Sequence, residues 1–303
     1  MIRADDDDIA ILILAGGRGA RFGGPKQLEP VGPMGEPLAA YALYDAALAG
    51  FRRAVIVSPP GMADPLAALV TRFAPAGLTV EATEQPPAAG RTRPWGTAHA
   101  VLSAGNVVGE ASFAVANADD FYGRRAIMAL GEFLCSDETG DERTAVIAYR
   151  LERTLRFSQG VSRALCRSRG GWLTGIEELF EVRAASEGGG AGFVGRTGDG
   201  RVAKLGPEAL VSMNLWGLCP AILPPLETLW REFIASVPGP DDEFMLPAAV
   251  DRLLRNGEAQ VRLLETDEVP FGLTSRADLP VARARIARLV ADGVYPADLG
   301  ACS

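Results

Sequence analysis

The run Leu14-Ala15-Gly16-Gly17-Arg18-Gly19-Ala20-Arg21-Phe22-Gly23-Gly24-Pro25-Lys26 combines repeated glycines with spaced cations. Glycines let a backbone pass close to a bound group, and successive N–H groups turned the same way form an anion-binding hollow. Arg21 can grip a phosphate through two parallel hydrogen bonds, while Lys26 adds a compact point charge. The chemistry implied is the binding of a polyphosphate. Two familiar glycine loops do not fit. A Walker loop needs Gly-Lys followed by Ser or Thr, and Lys26 stands between Pro25 and Gln27. A dinucleotide loop needs a glycine where Phe22 stands and an acid after the second strand, which here ends at Ser58.

A second constellation is Asn117-Ala118-Asp119-Asp120-Phe121-Tyr122. Adjacent carboxylates at a strand end suit Mg²⁺, a hard cation that takes oxygen ligands and bridges substrate phosphates. Asp120 is read either as a partner to Asp119 or as a cap for the helix at Arg124. A third is Pro94-Trp95-Gly96-Thr97-Ala98-His99-Ala100, in which Gly96 permits close approach and Thr97 is expected to cap the helix that follows. His99 is the only histidine, so histidine-based triads and histidine metal clusters are excluded, and it is read as a packed structural residue.

These residues need a scaffold that brings loop ends together. Residues 9–14 are continuously aliphatic, as a strand buried on both faces of a parallel sheet should be. Further strands are expected at 54–57, 78–82, 112–116 and 144–149, alternating with helices at 38–49, 66–73, 97–104 and 127–134. That rhythm indicates βαβ crossovers and a mainly parallel sheet flanked by helices, an α/β fold that binds ligands at the carboxyl ends of its strands. Beyond residue 151 the pattern predicts antiparallel strands at 160–166 and 173–177, a glycine-rich surface loop at 186–200 and one strand over 211–218. Helices at 226–235 and 244–256, a strand at 261–264 and a terminal helix at 279–292 complete the reading. Residues 1–8 form an acidic tail, and 9–303 are read as one domain, with a nucleotide-binding half (9–150) and an acceptor-binding half (151–303).

The bulk composition narrows the partners. The chain has 303 residues, 48% hydrophobic and 22% charged, an ordinary globular balance. A net charge of −8 disfavours nucleic acid and acidic membranes, so positive charge must be concentrated locally for a polyanionic ligand. The first residues are acidic where a secretory leader is basic. The apolar run at 9–15 is too short to span a bilayer. The four cysteines form no metal-spaced pair. A cytoplasmic protein with reduced thiols is expected, and self-association is left open.

The glycine loop, the Gly96-Thr97-Ala98-His99-Ala100 segment and Asp119, in that order, resemble the signature of sugar-phosphate nucleotidyltransferases of the GT-A-like, nucleotide-diphospho-sugar transferase fold. Pro25-Lys26-Gln27 is also similar to a segment of the methylerythritol-phosphate cytidylyltransferases, which share that fold. The resemblance implies transfer of a nucleotidyl group from a nucleoside triphosphate to a sugar-1-phosphate or related cyclitol phosphate, with Mg²⁺ as cofactor. Arg21, Lys26 and Asp119 would be catalytic, with Asp119 on the metal. Leu14, Ala15, Gly16, Gly17, Gly19, Gln85, Gly96 and Thr97 would hold the nucleotide. Gly160, Arg163, Glu178 and Asn214 would face the acceptor. Leu179 and Phe180 follow Glu178 where many relatives carry Lys-Pro, so Arg163 and Lys204 are the candidates to replace that lysine. The place of a second metal-binding aspartate, residues 269–274, holds no acid, and neither Asp267 nor Asp278 falls on the pattern. Two other activities are compatible with the fold: cytidylyl transfer to a polyol or amino-alcohol phosphate, and glycosyl transfer, although Asp119-Asp120 lacks the spacer of an Asp-x-Asp motif.

Overall fold

The computed structural model describes residues 9–17, 22–86, 91, 93–136, 144–155, 160–185 and 192–302. Its first half alternates strands and helices as the apolar pattern requires. Strand β1 (Ala10–Leu14) is followed by α1 (Leu38–Leu48), β2 (Arg53–Ser58), α2 (Ala63–Thr71), β3 (Thr79–Glu84), α3 (Thr97–Val108) and β4 (Phe113–Asn117). Short β5 (Asp120–Phe121), α4 (Arg124–Leu134), β6 (Ala145–Arg150) and the single turn α5 (Leu151–Thr154) come next. The second half contributes β7 (Val161–Arg169), β8 (Trp172–Ala184), β9 (Phe193–Thr197), β10 (Val202–Leu205), β11 (Leu210–Ser212) and β12 (Trp216–Leu218). Helices α6 (Leu223–Ala235) and α7 (Leu246–Asn256), strands β13 (Arg262–Thr266) and β14 (Phe271–Gly272), and helix α8 (Leu279–Ala291) close the chain.

Among the described residues twelve strands share one sheet, ordered β10-β9-β8-β7-β11-β6-β12-β4-β1-β2-β3, with β13 pairing with β6 and β8. Strands β3, β2, β1 and β4 are parallel. Strand β12 runs antiparallel between β4 and β6, and β13 is parallel to β6. Strand β1 is buried along its length and alternates between two cores, as side chains of period two must. Ala10, Leu12 and Leu14 face a core with α3, α6 and α7. Ile11 and Ile13 face a core with α1, α2 and α4. This double burial is why the sequence there is continuously apolar. A third cluster joins Tyr41, Phe121, Phe271 and Tyr295, so the C-terminal segment packs back onto α1 and the β5–β14 ribbon. No described helix is long and apolar enough to cross a membrane.

Two expectations are corrected. Residues 186–200 are not a loop throughout, because Phe193–Thr197 forms β9, paired with β8 and β10. Cross-strand pairing outweighs the glycine-rich composition there. The strand expected over 211–218 is broken into β11 and β12, because Asn214 adopts a left-handed φ of +64°. Asparagine tolerates that region better than most residues. The break lets β11 pair with β7 while β12 pairs with β4, and the sheet divides at Asn214.

Candidate active site

The site forms where β1 and β4 end together, Leu14 opposite Asn117. Backbone bonds from Ala15 N–H to Val57 O (2.8 Å) and from Ala118 N–H to Leu14 O (3.0 Å) carry the ladder to this edge. On the far side of the glycine loop, Lys26–Leu28 forms a short 3-10 turn. Gln27 is buried and donates from Nε2 to Ala15 O at 2.9 Å and to Gly17 O at 3.4 Å. Two loop carbonyls are thereby turned toward the protein. The Lys26 stem lies 3.9 Å from the space beside Gly17, and its ammonium is ion-paired with Asp119 Oδ2. Each side chain keeps about a fifth of its surface exposed, 21% for both, so the pair faces the open edge. Arg21 and Gly19 lie outside the described residues.

Behind Asp119 runs a polar chain whose direction one atom fixes. The indole Nε1 of buried Trp216 can only donate, and it donates to Asn214 Oδ1 at 2.9 Å. Asn214 Nδ2 therefore donates to Asn117 Oδ1 (2.9 Å), and Asn117 Nδ2 to Asp120 Oδ2 (2.8 Å). Burial, and then the charge of Asp119, push the Asp120 carboxyl above its ordinary range. Asp120 does not cap the helix at Arg124, because Gly123 occupies that position without a side-chain cap.

Arg163 is not a surface cation. It is 8% exposed and donates to Ser162 O (2.8 Å) and Thr154 O (2.9 Å), while its buried Nε has no partner among the described residues. Burial lowers its pKa against the opposing charges of Asp120 and Glu178. Half-buried Glu178 is pushed up to about 7 by burial, with Arg163 pulling the other way. Gly160, at φ +66°, donates to Val182 O at 2.9 Å and turns the chain into β7. Lys204 sits on β10 at the outer edge of the sheet.

The Gly96 segment forms the other wall. Gln85 Nε2 donates to Gly96 O (3.1 Å) and to His99 Nδ1 (3.0 Å), which places the histidine proton on Nε2. Burial lowers the His99 pKa to about 4, and its ring lies 4.4 Å from that of Trp230. Gln85 Oε1 is left beside Gly16, 3.0 Å from where a Cβ there would stand. Thr97 does not cap its own helix. Gly96 holds the cap position, and Thr97 Oγ1 accepts the N–H of Leu246 at 2.9 Å, at the start of α7.

A divalent cation suits this corner on the chemistry of its donors. Asp119 already takes a cation, the Lys26 ammonium, on Oδ2, and Asp120 follows it directly. Mg²⁺ needs only one or two carboxylates when phosphates and water complete its shell. Among the described residues no group of three His, Cys, Asp or Glu could hold a metal unaided. Asp267 is paired with Arg153, and Asp278 Oδ2 accepts the N–H groups of Thr274 (2.8 Å) and Ser275 (2.6 Å). The sequence reading missed the clamp by Gln27, although Pro25-Lys26-Gln27 pointed to it. It also missed the Trp216–Asn214–Asn117 chain, for which no sequence signal exists.

The fold is that of nucleotidyltransferases. The inositol-1-phosphate CTP transferase of T. maritima superposes with a TM-score of 0.61 at 12% identity, covering 93% of this chain and 96% of that one. The UDP-glucose pyrophosphorylase of Acinetobacter baumannii gives 0.59 at 17% identity, covering 94% and 99%. A UTP-bound UGPase from the same organism gives 0.61 at 19%, covering 97% and 96%. At such identities the likeness establishes the fold alone. Comparison with curated protein sequences gives no match. Residues 11–174, more than half of the chain, match the family model of the MobA-like NTP transferase domain. The chain belongs to that family and is a nucleotidyltransferase.

Proposed function

We propose that the protein transfers a nucleotidyl group from a nucleoside triphosphate to a sugar-1-phosphate or related cyclitol phosphate, giving a nucleotide-diphospho-sugar and pyrophosphate. The observation that carries the reading is the Lys26–Asp119 ion pair at the mouth of the glycine loop. It sets a cation suited to phosphate beside a carboxylate suited to a metal ion. An oxygen of the acceptor phosphate attacks the α-phosphorus, the bond to the β-phosphate oxygen breaks, and pyrophosphate leaves. That oxygen is already anionic at neutral pH, so no general base is needed. Catalysis then rests on positioning and on charge stabilisation.

In this reading Leu14, Ala15, Gly16, Gly17 and Gly19 offer backbone N–H groups to the triphosphate, and Arg21 and Lys26 neutralise it. Gln85 and the Gly96-Thr97 backbone receive the base. Mg²⁺ held by Asp119 supplies charge neutralisation at the phosphates. Glu178 accepts hydroxyl hydrogen bonds from the acceptor beside Gly160, while Arg163 offers charge and Asn214 acts through Asn117. Residues 9–303 work as one domain, with the nucleotide at 9–150 and the acceptor at 151–303. Free thiols at Cys166 and Cys219 suit the cytoplasm. The test is pyrophosphate release with Mg²⁺ across five nucleoside triphosphates and a panel of phosphorylated sugars, cyclitols and polyols. Release that depends on one nucleotide and one acceptor is expected. Triphosphate binding without release for any acceptor would overturn the reading.

A further inference from the structure

The missing second acid has a physical explanation in the β5–β14 ribbon. Gly272 lies directly opposite Asp120 in this antiparallel pair. Directly opposed residues of an antiparallel pair project their side chains to the same face, with Cβ atoms about 5 Å apart. A Cβ built on Gly272 would stand 2.0 Å from Asp120 Oδ1. The carboxylate of Asp120 thus fills the volume that a side chain at 272 would need. The glycine is required here for room, since its φ is not in the left-handed region. The ribbon is tied to the metal corner by a bond from Leu273 N–H to Asp119 O at 2.9 Å.

We infer that Asp120 supplies the second metal-facing carboxylate, taking the place of the acid absent from residues 269–274. The inference rests on the metal-dependent reading above. Two features of the surroundings support it. Asn117 Nδ2 engages Oδ2 of Asp120 at 2.8 Å, which orients the carboxylate and leaves Oδ1 on the side of Gly272. Outer hydrogen bonds of this kind commonly orient metal-binding groups. The other acids near the ribbon are committed elsewhere, Asp267 to Arg153, Glu268 to Arg125 and Asp278 to the backbone at 274–275. The second carboxylate therefore comes from β5 rather than from its partner strand β14, one step along the chain from Asp119.

The test uses Mn²⁺, which takes the same hard oxygen donors and is read directly by electron paramagnetic resonance without turnover. Free Mn²⁺ is titrated into the full-length protein, with the fold of each variant checked by circular dichroism. Asp120→Asn and Asp119→Asn are each expected to weaken Mn²⁺ binding about tenfold or more. Asp120→Ser vacates the space beside residue 272, and combining it with Gly272→Asp is expected to return most of the lost affinity. Wild-type affinity in folded Asp120→Asn, with loss in Asp119→Asn, would overturn this assignment and leave the metal-dependent reading standing. A wild-type protein that binds no Mn²⁺, with pyrophosphate release unaffected by a chelator, would overturn both. Should Asp120→Asn not fold, a double variant no tighter than Asp120→Ser would overturn the assignment.

Discussion

The ion pair of Lys26 and Asp119 contributes little to stability. Both are partly solvated, and exposed pairs contribute about 0–1 kcal/mol. Charge stabilisation in a nucleotidyl-transfer transition state is worth far more, commonly about 100- to 1,000-fold in rate for one donor. Lys26→Ala is therefore expected to reduce pyrophosphate release by about 100-fold or more while leaving the melting temperature almost unchanged. Full activity in this variant would remove the residue from the site. The Trp216–Asn214–Asn117–Asp120 chain is the opposite case, since its members are buried or half-buried and each donor has one acceptor. A single indole N–H decides which way three side chains point, and an unsatisfied group in such a chain costs about 1–3 kcal/mol.

At the scale of elements, the site depends on how two helices start. Helix α3 begins after Gly96, and α7 begins beside it at Leu246. Phe244 donates to Trp95 O at 2.7 Å, Ala98 donates to Phe244 O at 3.0 Å, and Thr97 Oγ1 receives the Leu246 N–H. Gly96 has φ +100°, and a Cβ there would meet backbone atoms of Phe244 at 2.6 to 2.9 Å. Backbone cannot yield as a flexible side chain can. Gly96→Ala is accordingly expected to lower unfolding free energy by about 2 kcal/mol or more and to weaken triphosphate binding, because Gln85 bonds to the Gly96 carbonyl. Urea denaturation and nucleotide titration check the two effects together. A stable variant that binds normally would show that this corner is not the base wall.

For the whole molecule, buried ionisable groups set opposing pH dependences. Glu178 and Asp45 are raised to about 7 and about 6, chiefly by burial. Their protonated forms stabilise the fold below the unfolded values, and that contribution is lost as pH rises through the raised ones. His99 runs the other way, lowered from 6.5 to about 4 by burial. Its contribution is complete above pH 6.5 and disappears as pH falls through 4. Comparing wild type with His99→Gln cancels the carboxylate terms. The stability gap between them is expected to be constant above pH 6.5 and to shrink by up to about 1.4 kcal/mol per unit below it. A gap independent of pH in urea unfolding would show that His99 is not held neutral in the core.

The parallel half of the sheet was legible in the sequence because strands buried on both faces must be continuously apolar, as β1 is throughout and β2, β4 and β6 are over their inner residues. A phosphate-binding reading of residues 14–26 can be made from the sequence, since glycine spacing and cation type are local properties. Composition alone misjudged residues 193–197, where pairing with β8 and β10 makes a strand. The break at Asn214 was hidden for the same reason, being imposed by two different neighbours on either side of it. The buried settings of Gln27, Trp216 and Arg163 were out of reach, because each depends on how the chain packs. Local chemistry and periodicity thus determined the class of ligand and the kind of fold. Only the tertiary structure decided which carboxylates, amides and cations meet, because burial and hydrogen-bond direction are properties of the packed chain.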